Sequence, residues 1–156
     1  MTDQFDGDLA LILTRDGGEI IYTGGQPQMD AGGLETSVLI SLFTGAGWWG
    51  NALEFNSPDN QIGSIFEQTV QPHSITLQRL ILIENEAKNA LQWMINLGIA
   101  KSVSVSVISP QLNQIEITIT IIKPDSESID FRYELNWQNG VLFPVCAKFD
   151  SNNAIL

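Results

Sequence analysis

The chain has 156 residues, of which 44% are hydrophobic, and its eighteen acidic and seven basic residues give a formal net charge of −11. This length supports one hydrophobic core, and the negative charge argues against general electrostatic binding to nucleic acid or to an anionic membrane surface. The single cysteine, Cys146, excludes an internal disulfide, and the single histidine, His73, leaves no cluster with the spacing of a zinc site. We therefore expect one domain without metal or cofactor, whose partners are proteins.

The first segment has the alternation of a β-strand. Its leucines recur at every second position, at Leu9, Leu11 and Leu13. Asp16-Gly17-Gly18 favours a tight turn, so we predict a β-hairpin that resumes through residues 20–22. The polar, glycine-rich residues 23–27 then indicate a linker.

A short apolar helix is predicted after this linker. Leu34, Val38 and Leu42 recur at helical spacing, Asp30 is placed to cap the start, and Gly45 indicates the end. Because the helix is apolar over most of its surface, we expect it to be buried on more than one side.

Residues 45–60 form a predicted loop, rich in glycine, asparagine and proline, that carries Trp48, Trp49 and Phe55. Large aromatic side chains are costly to leave in water, so they either cap the protein's own core or insert into a partner. Core capping is the commoner role of such residues, and both roles stay open here. We name Trp48, Trp49 and Phe55 as candidate partner-binding residues.

The longest predicted element is a helix over residues 75–97. Its apolar residues follow one another every three or four positions and form one stripe: Leu80, Ile83, Ala87, Ala90, Met94 and Leu97. Ser74 or Thr76 is placed to cap the start, and Gly98 lies just past the end. We expect the stripe to cover a sheet.

Strict alternation after the long helix predicts three strands that share one apolar face. Its positions are Val103, Val105 and Val107, then Ile115, Ile117, Ile119 and Ile121, then Ile129, Phe131, Tyr133, Leu135 and Trp137. The connectors around Pro110 and Pro124 are too short for a crossover helix, so the strands should form an antiparallel meander. Asn139-Gly140 favours a tight turn into a fourth, edge strand, where we predict Leu142 and Phe143 as partner-binding residues.

These elements predict an α+β fold. A three- to four-stranded antiparallel meander sheet is covered on one face by the long helix, and an N-terminal β-hairpin and a short buried helix complete the domain. We divide this domain into a hairpin and linker (1–30), a helical part with the aromatic loop (31–98), the antiparallel sheet (99–149) and a frayed tail (150–156).

Catalytic motifs are scarce in this sequence. It contains no phosphate-binding glycine loop, nucleophile elbow or metal-binding helix motif. The remaining catalytic hypothesis is a carboxylate pair, because glycosidases use two acids about 5–10 Å apart around a sugar. Glu54, Asp59 and Glu67 lie near the aromatic loop, which leaves a cell-wall hydrolase as the alternative to a non-catalytic protein.

Three stretches of the sequence carry a family resemblance. They are Asp6-Gly7-Asp8-Leu9-Ala10, the segment from Gly32 through Trp48-Trp49-Gly50, and Ala90-Leu91-Gln92-Trp93. With them, the chain resembles the small baseplate protein of Mu-like contractile-tailed phages, a relative of the sheath-initiator (lysozyme-like) baseplate wedge family. The resemblance extends over most of the chain. It implies a small α/β domain in the wedge around the tail tube, which presents strands that the first sheath ring extends.

The function that this resemblance implies is structural. It implies a component of a contractile phage tail baseplate, or of a prophage remnant of one, acting in wedge assembly and sheath initiation. The implied partners are other wedge and hub proteins and the sheath or tube subunits, in a symmetric assembly with several copies. The implied location is the virion, with the host cytoplasm before assembly. The chemistry of a sheet with an open edge fits this role, because a strand of another chain can pair with its N–H and C=O groups.

Overall fold

The computed structural model describes the chain in six segments. They are residues 8–14, 17–30, 34–54, 61–71, 74–138 and 141–149, with only the main chain described at Gly17, Glu54, Trp137, Gln138 and 141–149. Helices and antiparallel sheets both occur, which confirms the predicted mixture of the two.

The N-terminal part is a set of three two-stranded antiparallel arms. The paired strands are β1 (Asp8–Leu9) with β6 (Met29–Asp30), β2 (Leu11–Thr14) with β3 (Gly17–Ile20), and β4 (Tyr22–Thr23) with β5 (Gln26–Pro27). The arms meet where the main chains of Ala10, Ile21 and Gln28 exchange three hydrogen bonds of 2.8–3.0 Å. The first strand of this part, β1, therefore lies beside its last strand, β6.

The predicted N-terminal hairpin is confirmed, but Gly17 and Gly18 do not belong to its turn, and Asp16 lies outside the described residues. Gly17 and Gly18 already lie in β3, because β2 ends at Thr14 and pairs there with Gly17. The predicted linker was also wrong, because it contains the hairpin of β4 and β5. Gly24 and Gly25 adopt φ values of +59° and +79°, which the tight turn between these strands requires and which glycine tolerates.

Helix α1 (Leu34–Phe43) is tied to the N-terminal arms by two buried side chains. A carboxylate oxygen of Asp30 accepts a 2.9 Å hydrogen bond from the Thr36 N–H, and the Thr36 hydroxyl donates a 2.6 Å bond to the Leu9 carbonyl. The predicted capping role of Asp30 is therefore confirmed. The helix ends at Phe43, and Val38, Leu39 and Leu42 are fully or almost fully buried, as its apolar surface predicted.

Replacing Asp30 by alanine is expected to lower the free energy of unfolding by about 1–3 kcal/mol, because the buried Thr36 N–H loses its acceptor. Urea denaturation followed by circular dichroism measures this change. The matched control is Asp30→Asn, whose amide oxygen can accept the same hydrogen bond and which should retain most of the stability. Equal losses in the two variants would contradict a capping role.

Helix α3 (Leu77–Asn96) is the longest helix, and the Thr76 hydroxyl caps it by accepting a 3.2 Å hydrogen bond from the Arg79 N–H. Its buried residues are Ile83, Ala87, Leu91 and Met94. The prediction for Leu97 was wrong, because this residue follows the last turn and its side chain is 69% exposed. Within the described chain, no helix has the length and hydropathy needed to cross a membrane.

The C-terminal half is a four-stranded antiparallel sheet. Its strands are β7 (Ser102–Ile108), β8 (Gln114–Ile122), β9 (Ser128–Gln138) and β10 (Val141–Phe149), in the order β10-β9-β8-β7. Strands β7 and β10 are therefore its edges. The predicted apolar face is confirmed at its centre, where the buried residues are Val105, Val107, Ile115, Ile117, Ile119, Ile121, Phe131, Tyr133 and Leu135.

One core joins the buried residues of this sheet to those of α1, α3 and the short helix α2 (Phe66–Thr69). The partly buried Phe43 packs against this core, and its ring meets the rings of Phe66 and Tyr133 edge-on at centroid distances of 5.6 and 6.1 Å. Edge-to-face contacts of this kind add to the stabilisation from apolar burial. The core therefore positions the loop that follows α1.

Candidate partner-binding surface

The loop after α1 displays large apolar side chains to solvent. The Trp48 and Trp49 rings contact each other at a centroid distance of 5.4 Å and an angle of 44°. Trp48 is 41% exposed, Trp49 is 74% exposed, and Leu53, in the 3₁₀ helix Trp49–Glu54, is 77% exposed. Trp49 therefore does not cap the core. A role in binding a partner stays a prediction for both tryptophans.

The Trp48 ring packs against Gly50. This glycine is buried, and a Cβ atom built on it would collide with the six-membered ring of Trp48. The indole therefore lies directly on the main chain of Gly50. A side chain at position 50 would occupy the space that the ring fills.

Asn51 closes the aromatic loop through its side-chain amide. Its Nδ2 donates hydrogen bonds to the carbonyls of Ala46 at 3.2 Å and Ile62 at 2.7 Å, and its Oδ1 accepts one from the Ile62 N–H at 3.0 Å. A parallel bridge between Gly45 and Ser64 holds the base of the loop. The aromatic residues are thus presented on a closed loop whose ends are fixed, which lowers the ordering cost of binding.

An apolar groove of about 360 Å³ lies beside this loop, between α1, α3 and the segment around Ile62. Its lining residues are Ser37, Ile40, Ser41, Gln61, Ile62, Gly63, Ala90, Trp93 and Leu97. The Trp93 Nε1–H donates a 2.9 Å hydrogen bond to the Ser41 hydroxyl, which donates to the Ser37 carbonyl at 2.7 Å. These polar groups of Trp93 and Ser41 are therefore paired, and the rest of the lining is mainly hydrocarbon.

Sequence reasoning missed this groove. The small residues Ser37, Ser41 and Ala90 let α1 and α3 approach closely, but small residues at helical spacing do not show which second helix they meet. Trp93 was the available signal, because a tryptophan on the flank of an apolar stripe needs a partner for its N–H.

The other predicted site residues belong to different parts of the chain. Leu142 and Phe143 lie in the edge strand β10, where their main chains pair with Trp137 and Asn136. Phe55 lies outside the described residues. The structure therefore brings Trp48 and Trp49 together and places Leu142 and Phe143 in a separate element.

The carboxylate-pair hypothesis stays a prediction. Asp59 and the Glu54 side chain lie outside the described part of the chain, and Glu67 is exposed on α2. Among the side chains that the structure describes, no three or more His, Cys, Asp or Glu residues come together in a way that could hold a metal ion.

The opposite edge of the sheet, β7, differs in character from the aromatic loop. It pairs with β8 on one side, and no other strand of the described chain pairs with its outer side. Ser102, Ser104 and Ser106 are exposed along it, and the strand has no charged residue and no proline. Charged residues and proline are common devices that block an edge, and β7 carries neither.

Comparison with known proteins gives two matches. The family model described as phage protein GP46 matches residues 34–128, which is more than half of the chain. The Mu-like prophage FluMu protein gp46 of Haemophilus influenzae is 26% identical over 137 residues, covering 83% of this chain and 97% of the relative. No solved structure matches the chain. The residues that the family model matches include α1, the aromatic loop, α3, β7 and β8.

Proposed function

Since this chain belongs to the phage protein GP46 family, we propose that it is a structural component of a contractile phage tail baseplate. In this proposal it acts in wedge assembly and sheath initiation through contacts with other proteins and catalyses no reaction. Its partners are other wedge and hub proteins and the sheath or tube subunits, and it resides in the virion. The similarity to a Mu-like prophage protein supports a Mu-like phage or prophage as the setting.

The observation that carries this proposal is the exposed, closed aromatic loop. Water-exposed tryptophans on a loop fixed by Asn51 are costly for a protein that acts alone, whereas tryptophan is enriched among the residues that dominate binding energy at interfaces. A chain with a net charge of −11 draws little affinity for nucleic acid from its overall charge. A protein partner fits this surface best.

The sheet contributes a second contact to this proposal. The long helix covers its apolar face, and the edge strand β7 is left to pair with a strand from a neighbouring sheath or wedge subunit. The uncharged edge of β7 supports this, because main-chain hydrogen bonds across such an edge supply affinity. The aromatic loop then anchors the neighbour at a different place, which fixes its orientation.

The test is a double substitution, Trp48→Ala and Trp49→Ala, in a phage whose genome encodes this chain. We expect the yield of tails with extended, contractile sheaths to fall by at least tenfold, because alanine removes both anchors while the buried core is unchanged. Electron microscopy of lysates and plaque counts measure this yield. The control is Leu77→Ala, which truncates a side chain that is 74% exposed at the start of α3. Tails that assemble normally with the double variant would refute the anchoring role.

A further inference from the structure

The two tryptophans of the aromatic loop are held in different ways. The Trp48 ring packs on the main chain of Gly50 and is 41% exposed, whereas Trp49 is 74% exposed. The Trp49 ring contacts the Trp48 ring at a centroid distance of 5.4 Å. Trp48 therefore lies as a support under Trp49, and Trp49 is the side chain that projects.

The main chain of Trp48 is fixed on both sides. Its N–H donates a 3.0 Å hydrogen bond to the Gly45 carbonyl, and its carbonyl accepts a 3.1 Å hydrogen bond from the Asn51 N–H. Gly45 is itself bridged to Ser64 at the base of the loop. The position of Trp48 is therefore set by the base of the loop on one side and by Asn51 on the other.

The side chain of Asn51 connects the loop to the segment that returns from it. Its three hydrogen bonds, to the Ala46 carbonyl and to the carbonyl and N–H of Ile62, are called the Asn51 clamp below. The clamp uses both N–H donors of the amide and its acceptor oxygen. An ionised carboxylate has no donor, and glutamine carries the same groups on a longer side chain, so asparagine is specifically suited to this position.

We propose that Trp49 is the side chain that enters the partner, and that Asn51 is a positioning residue that acts on Trp49 through Trp48. The contacts run from Asn51 to the main chain of Trp48 and from the ring of Trp48 to that of Trp49. The proposal rests on the proposed function, since it divides the binding role of the aromatic loop among its residues.

Opening of the Asn51 clamp is a local event. Asn51 is half-buried and both of its side-chain partners, Ala46 and Ile62, are exposed, so water can replace the lost hydrogen bonds. The loop then loses its fixed shape while the core stays folded. A partner binds only the fraction of chains in which the clamp is closed, and its apparent affinity falls in proportion to that fraction.

NMR spectroscopy of the purified full chain carrying Asn51→Ala tests the clamp. We expect the exchange rate of the Ile62 amide hydrogen to rise at least about tenfold, because this N–H loses its acceptor. The indole N–H signals of Trp48 and Trp49 should shift as the loop loses its fixed shape.

Two controls show whether the change is confined to the loop. The amides of Ile117 and Ile119, which are buried in the sheet, should keep their slow exchange in the Asn51→Ala chain. Asn85→Ala makes the same substitution at an exposed asparagine of α3. It should leave the Ile62 exchange rate and the indole signals unchanged.

A double-mutant cycle in the phage tests whether Asn51 acts through Trp49. Asn51→Ala should lower the plaque titre at least about threefold, although it removes neither tryptophan. Trp49→Ala alone should give most of the loss expected of the Trp48→Ala, Trp49→Ala variant. In the Trp49→Ala chain, Asn51→Ala should cause little further loss, because the side chain that it positions is absent.

Equal Ile62 exchange in the wild-type and Asn51→Ala chains would overturn the clamp. A normal titre with Asn51→Ala would overturn its positioning role, and full additivity of the two losses would overturn the route through Trp49. A normal titre with Trp49→Ala would overturn the assignment of Trp49. After any of these results, the Trp48→Ala, Trp49→Ala phage still decides the proposed function separately, since defective tails would retain the anchoring role of the loop and normal tails would refute it.

Discussion

Replacing Leu91 by alanine is expected to lower the free energy of unfolding by about 2–5 kcal/mol. Leu91 is fully buried in the middle of α3, and it belongs to the same core cluster as Ile117 and Ile119 of the sheet. Truncation removes apolar contacts on the helix and leaves a cavity that the surrounding side chains can fill only in part. Urea denaturation followed by circular dichroism should show a lower transition midpoint with an unchanged slope.

The matched control is Leu82→Ala, the same substitution on the same helix at a side chain that is 43% exposed. Both variants change helix propensity by the same small amount, so their difference isolates burial. We expect the control to lose less than about 1 kcal/mol. Similar losses in the two variants would mean that the face of α3 carrying Leu91 does not pack in the core.

Replacing Gly63 by alanine is expected to lower the free energy of unfolding by more than about 2 kcal/mol, for two reasons that add. Gly63 has a φ of +101°, which side chains disfavour, and a Cβ atom there would lie 2.5 Å from the Gly45 carbonyl oxygen. The neighbouring main-chain bond from Ser64 to Thr44 would be strained, and so would the clamp between Asn51 and Ile62. We therefore expect a changed tryptophan emission spectrum as well as a lower urea midpoint.

Gly98→Ala separates the two reasons. Gly98 also has a positive φ, +72°, but a Cβ atom there would have no neighbour within 4 Å. This variant should lose only the conformational term of about 1–2 kcal/mol and should keep the wild-type tryptophan spectrum. If Gly63→Ala were no more damaging than Gly98→Ala, the close approach between the two ends of the aromatic loop would not be maintained in solution.

Several parts of the fold could be predicted from the sequence because they depend on neighbouring residues. The alternation from Ile115 to Ile121 predicted which face of the strand is buried, and the spacing of Ile83, Ala87 and Met94 predicted the buried side of α3. Both patterns follow from the fixed geometry of strands and helices. Predictions were wrong where one residue type is typical of two structures. In residues 23–27 the glycines indicated a linker, but they form the turn of a hairpin.

The candidate site was predicted only in part. Trp48 and Trp49 could be singled out because large aromatic side chains in a polar loop are conspicuous in any sequence. The hydrogen bonds between the Asn51 side chain and the Ile62 main chain could not be predicted. These residues are eleven positions apart, and no local sequence pattern indicates that they meet. Leu97 was assigned to the buried stripe, although it borders the groove at 69% exposure.

The sequence by itself determined the net charge of −11, the uncharged segment from Thr36 to Leu53 and the alternation of the strands, because each is a property of composition or of nearest neighbours. Only the tertiary structure decided that Trp49 projects and that a groove opens beside it. Ser41 and Trp93, far apart in the chain, both line the groove and meet through one hydrogen bond where α1 and α3 pack together. Contacts between distant residues depend on how whole elements pack, and the periodicity of one element holds no information about its neighbour.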